Sequence, residues 1–176
     1  AIRDDTPDLL PVFDQQVVAT GLEIQKRRFV TVDEFNETFT KLFAFVSALE
    51  DPVTIRYSPS WKDCETIDRA LEILESKRDR DRVMQTSTSG PHLDRFTFRY
   101  RDKDFARTAS TGQLRLLSLV LRVAQAVHFT LKSTKLPILL LDDVLLELDP
   151  EKRRRFIEVL PEYDQAYFTF LPDERY

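Results

Sequence analysis

The chain predicts a mixed α/β architecture, with a mainly helical subdomain over residues 1–85 followed by an α/β lobe over residues 86–176. Three observations carry this. Apolar residues recur at helical spacing through the first half. The composition turns small and polar from Thr86 to His92, as at a boundary. Finally, Pro137 to Leu141 form a continuous apolar run that ends in Asp142 and Asp143, and such a run reads as a strand of a largely parallel core, covered on both faces.

The elements follow in order. Residues from about Pro11 to Arg28 form a helix ending in the basic run Lys26–Arg28. Thr31 and Glu34 have the spacing of a capping box, which predicts a fresh helix start. Phe35, Phe39, Leu42, Phe43, Val46 and Leu49 then mark one apolar face of that second helix. Pro52–Tyr57 reads as a short strand, with Pro59 and Trp61 in the loop after it. A third helix is expected from Asp63 to about Gln85, with Ile67, Leu71 and Leu74 inward and Glu65–Arg69 as an exposed pair. Its end, Lys77–Arg82, alternates in charge. Phe96–Tyr100 alternates like a strand, with its turn at Asp102–Asp104. Ser110 caps a long apolar helix running to about Leu131, on which Arg115, Ser118, Arg122 and Gln125 form a single polar stripe. Ala166–Phe170 reads as the final strand.

Composition narrows the function classes. The 176 residues are 42% hydrophobic with 13 Phe, enough for a partly aromatic core. The net charge of −4 confines any nucleic-acid contact to local basic clusters. These are Lys26–Arg28, Lys77–Arg82 and Lys152–Arg155, each of which also reads as a solvated helix face. One cysteine, Cys64, excludes an internal disulfide and fits a reducing compartment. There is no run of eighteen apolar residues and no signal-peptide pattern, so a cytoplasmic protein with no membrane partner is expected. The three glycines, Gly21, Gly90 and Gly112, cannot form a G-x-x-x-x-G-K-S/T phosphate loop. A chain that opens on Ala1 and carries half of a nucleotide site reads as part of a larger protein.

Two stretches carry chemistry. Ligands of parallel sheets gather at the carboxyl ends of strands, where Asp142 and Asp143 fall. Paired carboxylates there suit a magnesium ion, held by the first, and an attacking water, oriented by the second. An acidic strand-to-loop junction with Asp as a helix cap is the plainer reading. Ser110-Thr111-Gly112-Gln113 begins the long helix, where free N–H groups and the helix dipole favour an anion and Gly112 permits close approach. A capped buried helix explains the same residues.

Order and spacing tie these stretches together. A capped Gly-Gln start, a helix of about twenty residues, an apolar strand ending Asp142-Asp143 and a Glu147-Leu148-Asp149 loop resemble the signature motif, Walker B strand and D-loop of ATP-binding-cassette ATPases. Gly90-Pro91-His92, Ala109–Gln113 with Arg115, Leu139–Val144 and Lys152–Arg155 bring the resemblance closest to the RecF family of bacterial DNA replication and repair proteins, over about Gly90 to Thr169. The chain departs from that pattern at Leu93-Asp94-Arg95, where Arg-Asp-Asp is expected, at Thr111 and Leu114 in place of Gln, and at Leu146 in place of Ser. No His follows the final strand, as in the family.

The resemblance implies the signature and Walker B lobe of an ABC-type ATPase head, an incomplete P-loop NTPase fold, with residues 1–85 as its helical arm. It implies ATP and Mg2+ as cofactors of the complete protein. Asp142 would serve the metal and Asp143 catalysis. Ser110, Thr111, Gly112 and Gln113 would touch nucleotide across an ATP-dependent homodimer, and Asp149 would link the two sites. The implied partners are gapped DNA with single-strand/double-strand junctions and mediators of the RecR and RecO type, with recombinase loading as the outcome. Another SMC-like ATPase head, or a non-enzymatic interaction module presenting Trp61 and the basic runs, are the alternatives. His92 reads either as a nucleotide or metal contact or as a turn residue with a structural hydrogen bond.

Overall fold

The computed structural model describes residues 9–133 and 135–169. The elements are α1 (Leu10–Ser47), β1 (Val53–Ser58), α2 (Ile67–Met84), β2 (Arg95–Tyr100), β3 (Lys103–Asp104), α3 (Phe105–Thr108), α4 (Thr111–Lys132), β4 (Ile138–Leu141), α5 (Pro150–Glu158) and β5 (Gln165–Phe168). Short 3-10 turns lie at Pro91–Leu93 and Val144–Glu147. Strands β1, β2 and β3 form one sheet in that order, and β4 pairs with β5 in a second. The expected strand end at Phe170 and the side chains of Leu146 and Glu147 lie outside the described residues.

The two expected helices before β1 are one. α1 runs unbroken through Thr31 and Glu34, so the capping box is not used. Nothing between Arg28 and Phe35 obliges the backbone to leave the helix: the stretch holds neither Pro nor Gly. Elsewhere the boundaries move by a few residues. α2 begins only after Thr66, whose hydroxyl accepts the Arg69 N–H, and Arg69 pairs with Glu72 instead of Glu65.

The chain forms two compact units, each discontinuous in sequence: residues 1–32 with 56–97, and residues 33–55 with 98–176. This division differs from a single boundary between 85 and 86. The physical reason lies in α1, whose later apolar face belongs to a different core from its earlier one.

In the first unit Val18, Trp61, Cys64 and Ala70 are buried, with Leu22, Leu71 and Leu74 against them. Trp61 is therefore a core residue and not an exposed contact. Its indole N–H donates to Ser89 Oγ at 2.6 Å. Gly21 makes this packing possible, because a Cβ there would lie 2.6 Å from the indole ring. The polar Thr86–His92 stretch is tied down: Asp81 accepts both the N–H and the hydroxyl of Thr88.

In the second unit Phe39, Phe43 and Val46 of α1 pack with Val53, Phe105, Phe156 and the buried face of α4. Phe43 meets Phe105 edge to face at 5.7 Å, and Asn36 grips β1 by donating to the Ile55 carbonyl and accepting its N–H. α4 is long and apolar enough to cross a membrane by composition, yet Leu116, Leu117, Val120, Val123 and Ala124 are buried in this core.

β4 departs from expectation in one respect. Among the described residues it is covered on one face only: Ile138 is 59% exposed, Leu140 78% and the neighbouring Tyr167 of β5 58%. Leu141 and Phe168 turn the other way, into the core.

Candidate functional site

β4 and β5 run parallel, with Leu141 opposite Phe168. The ladder continues one step, since the Thr169 N–H donates to the Leu141 carbonyl at 3.1 Å. That step sets Thr169 beside Asp142. Its hydroxyl lies 2.8 Å from Asp142 Oδ1 and 3.2 Å from Asp143 Oδ1, and it accepts the Asp143 N–H at 2.8 Å. Asp143 is left-handed, with φ 51° and ψ 13°. Asp tolerates that region better than most residues, and strain of this kind concentrates at functional sites.

The two acids lie at a strand-to-loop junction, and the helix-cap part of the plainer reading is not seen. Asp143 precedes the turn Val144–Glu147, but its side chain makes no capping hydrogen bond. Among the described residues neither carboxylate has a cationic partner. Two carboxylates therefore converge on one hydroxyl at the carboxyl end of a parallel strand. No group of three or more acidic, His or Cys side chains suited to a metal occurs among the described residues. The donor set, two hard carboxylates and a hydroxyl, fits Mg2+, which takes one or two carboxylates and completes its shell with water and phosphate oxygens. It does not form a metal cage by itself.

At the start of α4 the capping box is complete. The Ser110 hydroxyl accepts the Gln113 N–H at 3.3 Å, and Gln113 Oε1 accepts the Ser110 N–H at 2.8 Å. Ser110, Thr111 and Gly112 are exposed, and a Cβ at Gly112 would meet nothing within 4 Å. This helix start is open to solvent, and no described hydrogen bond joins it to Asp142 or Asp143. Asp149 caps α5 by accepting the Lys152 N–H at 2.9 Å and pairs with Lys152 Nζ at 2.5 Å. The Lys152 side chain, followed by its backbone N–H, holds the Asp149 carboxyl below the usual range.

The basic runs carry many internal partners. Arg27 pairs with Glu23, Arg28 with Asp94, Arg78 with Asp14, and Arg154 and Arg155 with Glu151. His92 Nε2 stands 3.1 Å from the Ser87 carbonyl oxygen, a structural turn contact. Asp94, inside the segment that departs from the family pattern, has a side chain only 1% exposed. It accepts from Arg28, from the Tyr57 hydroxyl and from the Ser60 N–H. Burial, followed by the bond to Asp94, pushes the Tyr57 phenol up to about 12.

Sequence reasoning missed Thr169. A signal was available: β5 parallel to β4 makes the residue after one strand the neighbour of the residue after the other.

The described residues form a mixed α/β fold, with α4 against the core and an acidic end to β4. No protein-family profile matches the chain. It is 45% identical to the DNA replication and repair protein RecF of Treponema pallidum over 175 residues, 99% of this chain and 49% of that protein. To the RecF of Agathobacter rectalis it is 31% identical over 91% of this chain and 43% of that protein. A solved structure of the recombination mediator protein RecF with ATP in the RecFOR pathway shares the fold, with a TM-score of 0.79 and 22% identity over 98% of this chain and 48% of that one. Over nearly its whole length the chain matches the carboxyl-terminal half of RecF. It spans about half the length of the curated relatives it matches.

Proposed function

We propose that this chain supplies the Walker B carboxylates and the signature helix of a split ATP site in a RecF-type DNA-repair ATPase. The observation that carries the reading is the convergence of Asp142 and Asp143 on Thr169 at the end of β4, with no cation among the described residues to neutralise them. Asp142 would hold Mg2+ through water, and Asp143 would orient the water that attacks the terminal phosphate. The metal, when bound, neutralises charge developing on the phosphate oxygens. Ser110, Thr111, Gly112 and Gln113 form the open helix start that would close over nucleotide held by a second subunit, with Asp149 between the two sites.

The phosphate loop must come from sequence outside these 176 residues, since no spacing of the three glycines provides one. On this reading the complete protein dimerises with ATP, holds gapped DNA at single-strand/double-strand junctions, and works in the cytoplasm with RecO- and RecR-type mediators to load recombinase.

The test joins the amino-terminal half of the Treponema pallidum relative to this chain. The hybrid is expected to hydrolyse ATP in the presence of gapped DNA. Asp143→Asn is expected to remove turnover by at least a hundredfold while leaving ATP-dependent dimerisation in place. Turnover by the 176 residues alone, or turnover in the hybrid that survives Asp143→Asn, would sink the reading.

A further inference from the structure

We infer that Thr169 is a positioning residue for the acidic pair, a role that rests on the reading of Asp142 and Asp143 given above. A threonine hydroxyl has one proton and two lone pairs. One lone pair is taken by the Asp143 N–H at 2.8 Å. The single proton faces two acceptors, Asp142 Oδ1 at 2.8 Å and Asp143 Oδ1 at 3.2 Å, and it can serve only one of them fully at a time.

Two consequences follow. The accepted N–H holds Asp143 in its left-handed conformation, so the direction of that carboxylate depends on β5 and not on the turn after β4 alone. The shared proton keeps two mutually repelling carboxylates aimed at one point. A cation drawing on Asp142 releases that proton toward Asp143, so the hydroxyl links occupancy at the first acid to the orientation of the second. Outer-shell partners of this type change metal affinity by about ten- to a hundredfold when removed.

The experiment uses the hybrid described above, loaded with ATP, and Mn2+ as the probe. Binding is followed by electron paramagnetic resonance, and the Asp143 amide by hydrogen exchange. Thr169→Val keeps the shape and removes the hydroxyl; Thr169→Ser keeps the hydroxyl. With Thr169→Val, Mn2+ affinity is expected to fall about tenfold and the Asp143 amide to lose protection, while the amides of α4 stay protected. Thr169→Ser is expected to restore both readouts to within about twofold of the parent, which a merely space-filling role would not require. If Asp142→Asn abolishes binding but Thr169→Val leaves affinity and exchange unchanged, the role of Thr169 is overturned and the metal reading stands. A parent hybrid that binds no Mn2+ with ATP present overturns the metal reading, and this inference with it.

Discussion

Arg28 and Asp94 form an ion pair at 2.5 Å across 66 residues of sequence, and the carboxylate is almost wholly withdrawn from solvent. The pair fastens the middle of α1 to the segment entering β2. The same carboxylate takes the Tyr57 hydroxyl and the Ser60 N–H.

Removing one partner of such a pair leaves the other charge buried. Arg28→Ala is expected to destabilise the fold by about 3 kcal/mol in urea unfolding, the lower end for a broken buried pair because Arg28 itself is part-exposed. Asp94→Asn keeps an acceptor for Tyr57 and is expected to cost less than Asp94→Ala. Equal losses for the two Asp94 variants would show that the carboxylate charge, and not the acceptor that Asn retains, carries the network.

Tyr57 makes the same network sensitive to alkali. Its folded pKa, about 12, is above the ordinary value of 10.0. The stability it contributes is therefore complete below pH 10 and declines as the pH rises through 12. Thermal melts of the parent and of Tyr57→Phe are expected to differ by a constant amount up to pH 10 and to converge above it. A difference that does not change between pH 10 and 12 would contradict the assignment.

Two glycines separate packing from function. Gly21→Ala drives a methyl into the Trp61 ring and is expected to cost about 1–3 kcal/mol of overpacking, of which better helix propensity returns about 1. Gly112→Ala meets open space and should leave unfolding within about 0.5 kcal/mol of the parent. In the hybrid ATPase, however, Gly112→Ala is expected to lower turnover about tenfold or more, because close approach to phosphate needs that space. A hybrid with full activity would remove Gly112 from the nucleotide contact.

The acidic pair is expected to be held at a cost to stability. Asp142→Asn removes repulsion between two carboxylates that have no cationic partner among the described residues, and should raise unfolding stability by about 0.5–1 kcal/mol while weakening Mn2+ binding. A destabilised variant would mean that Asp142 serves the fold.

Much of this was legible in the sequence because the signals were local. The Ser110 N-cap, the α4 periodicity and the acidic end of β4 all depend on residues within a turn or two of one another. What escaped depended on partners far along the chain. Thr31 and Glu34 have capping-box spacing, yet α1 continues because both flanking faces find a core. Trp61 read as a candidate contact, but Gly21, forty positions earlier, gives its ring a place in the core. β4 is purely apolar, as a strand covered on both sides is, but Ile138 and Leu140 are uncovered among the described residues. Thr169 stands out only once the parallel register is known.

The discontinuous second unit sets an order of events at the ribosome. Phe39 and Phe43 emerge well before Phe105, Leu116 and Phe156, with which they share a core. At about 5–20 residues per second, those rings wait several seconds without their partners. Such a chain has core partners far apart in sequence and a nascent apolar helix to shelter, so its yield in the cell should depend on holdase chaperones more than its equilibrium stability suggests.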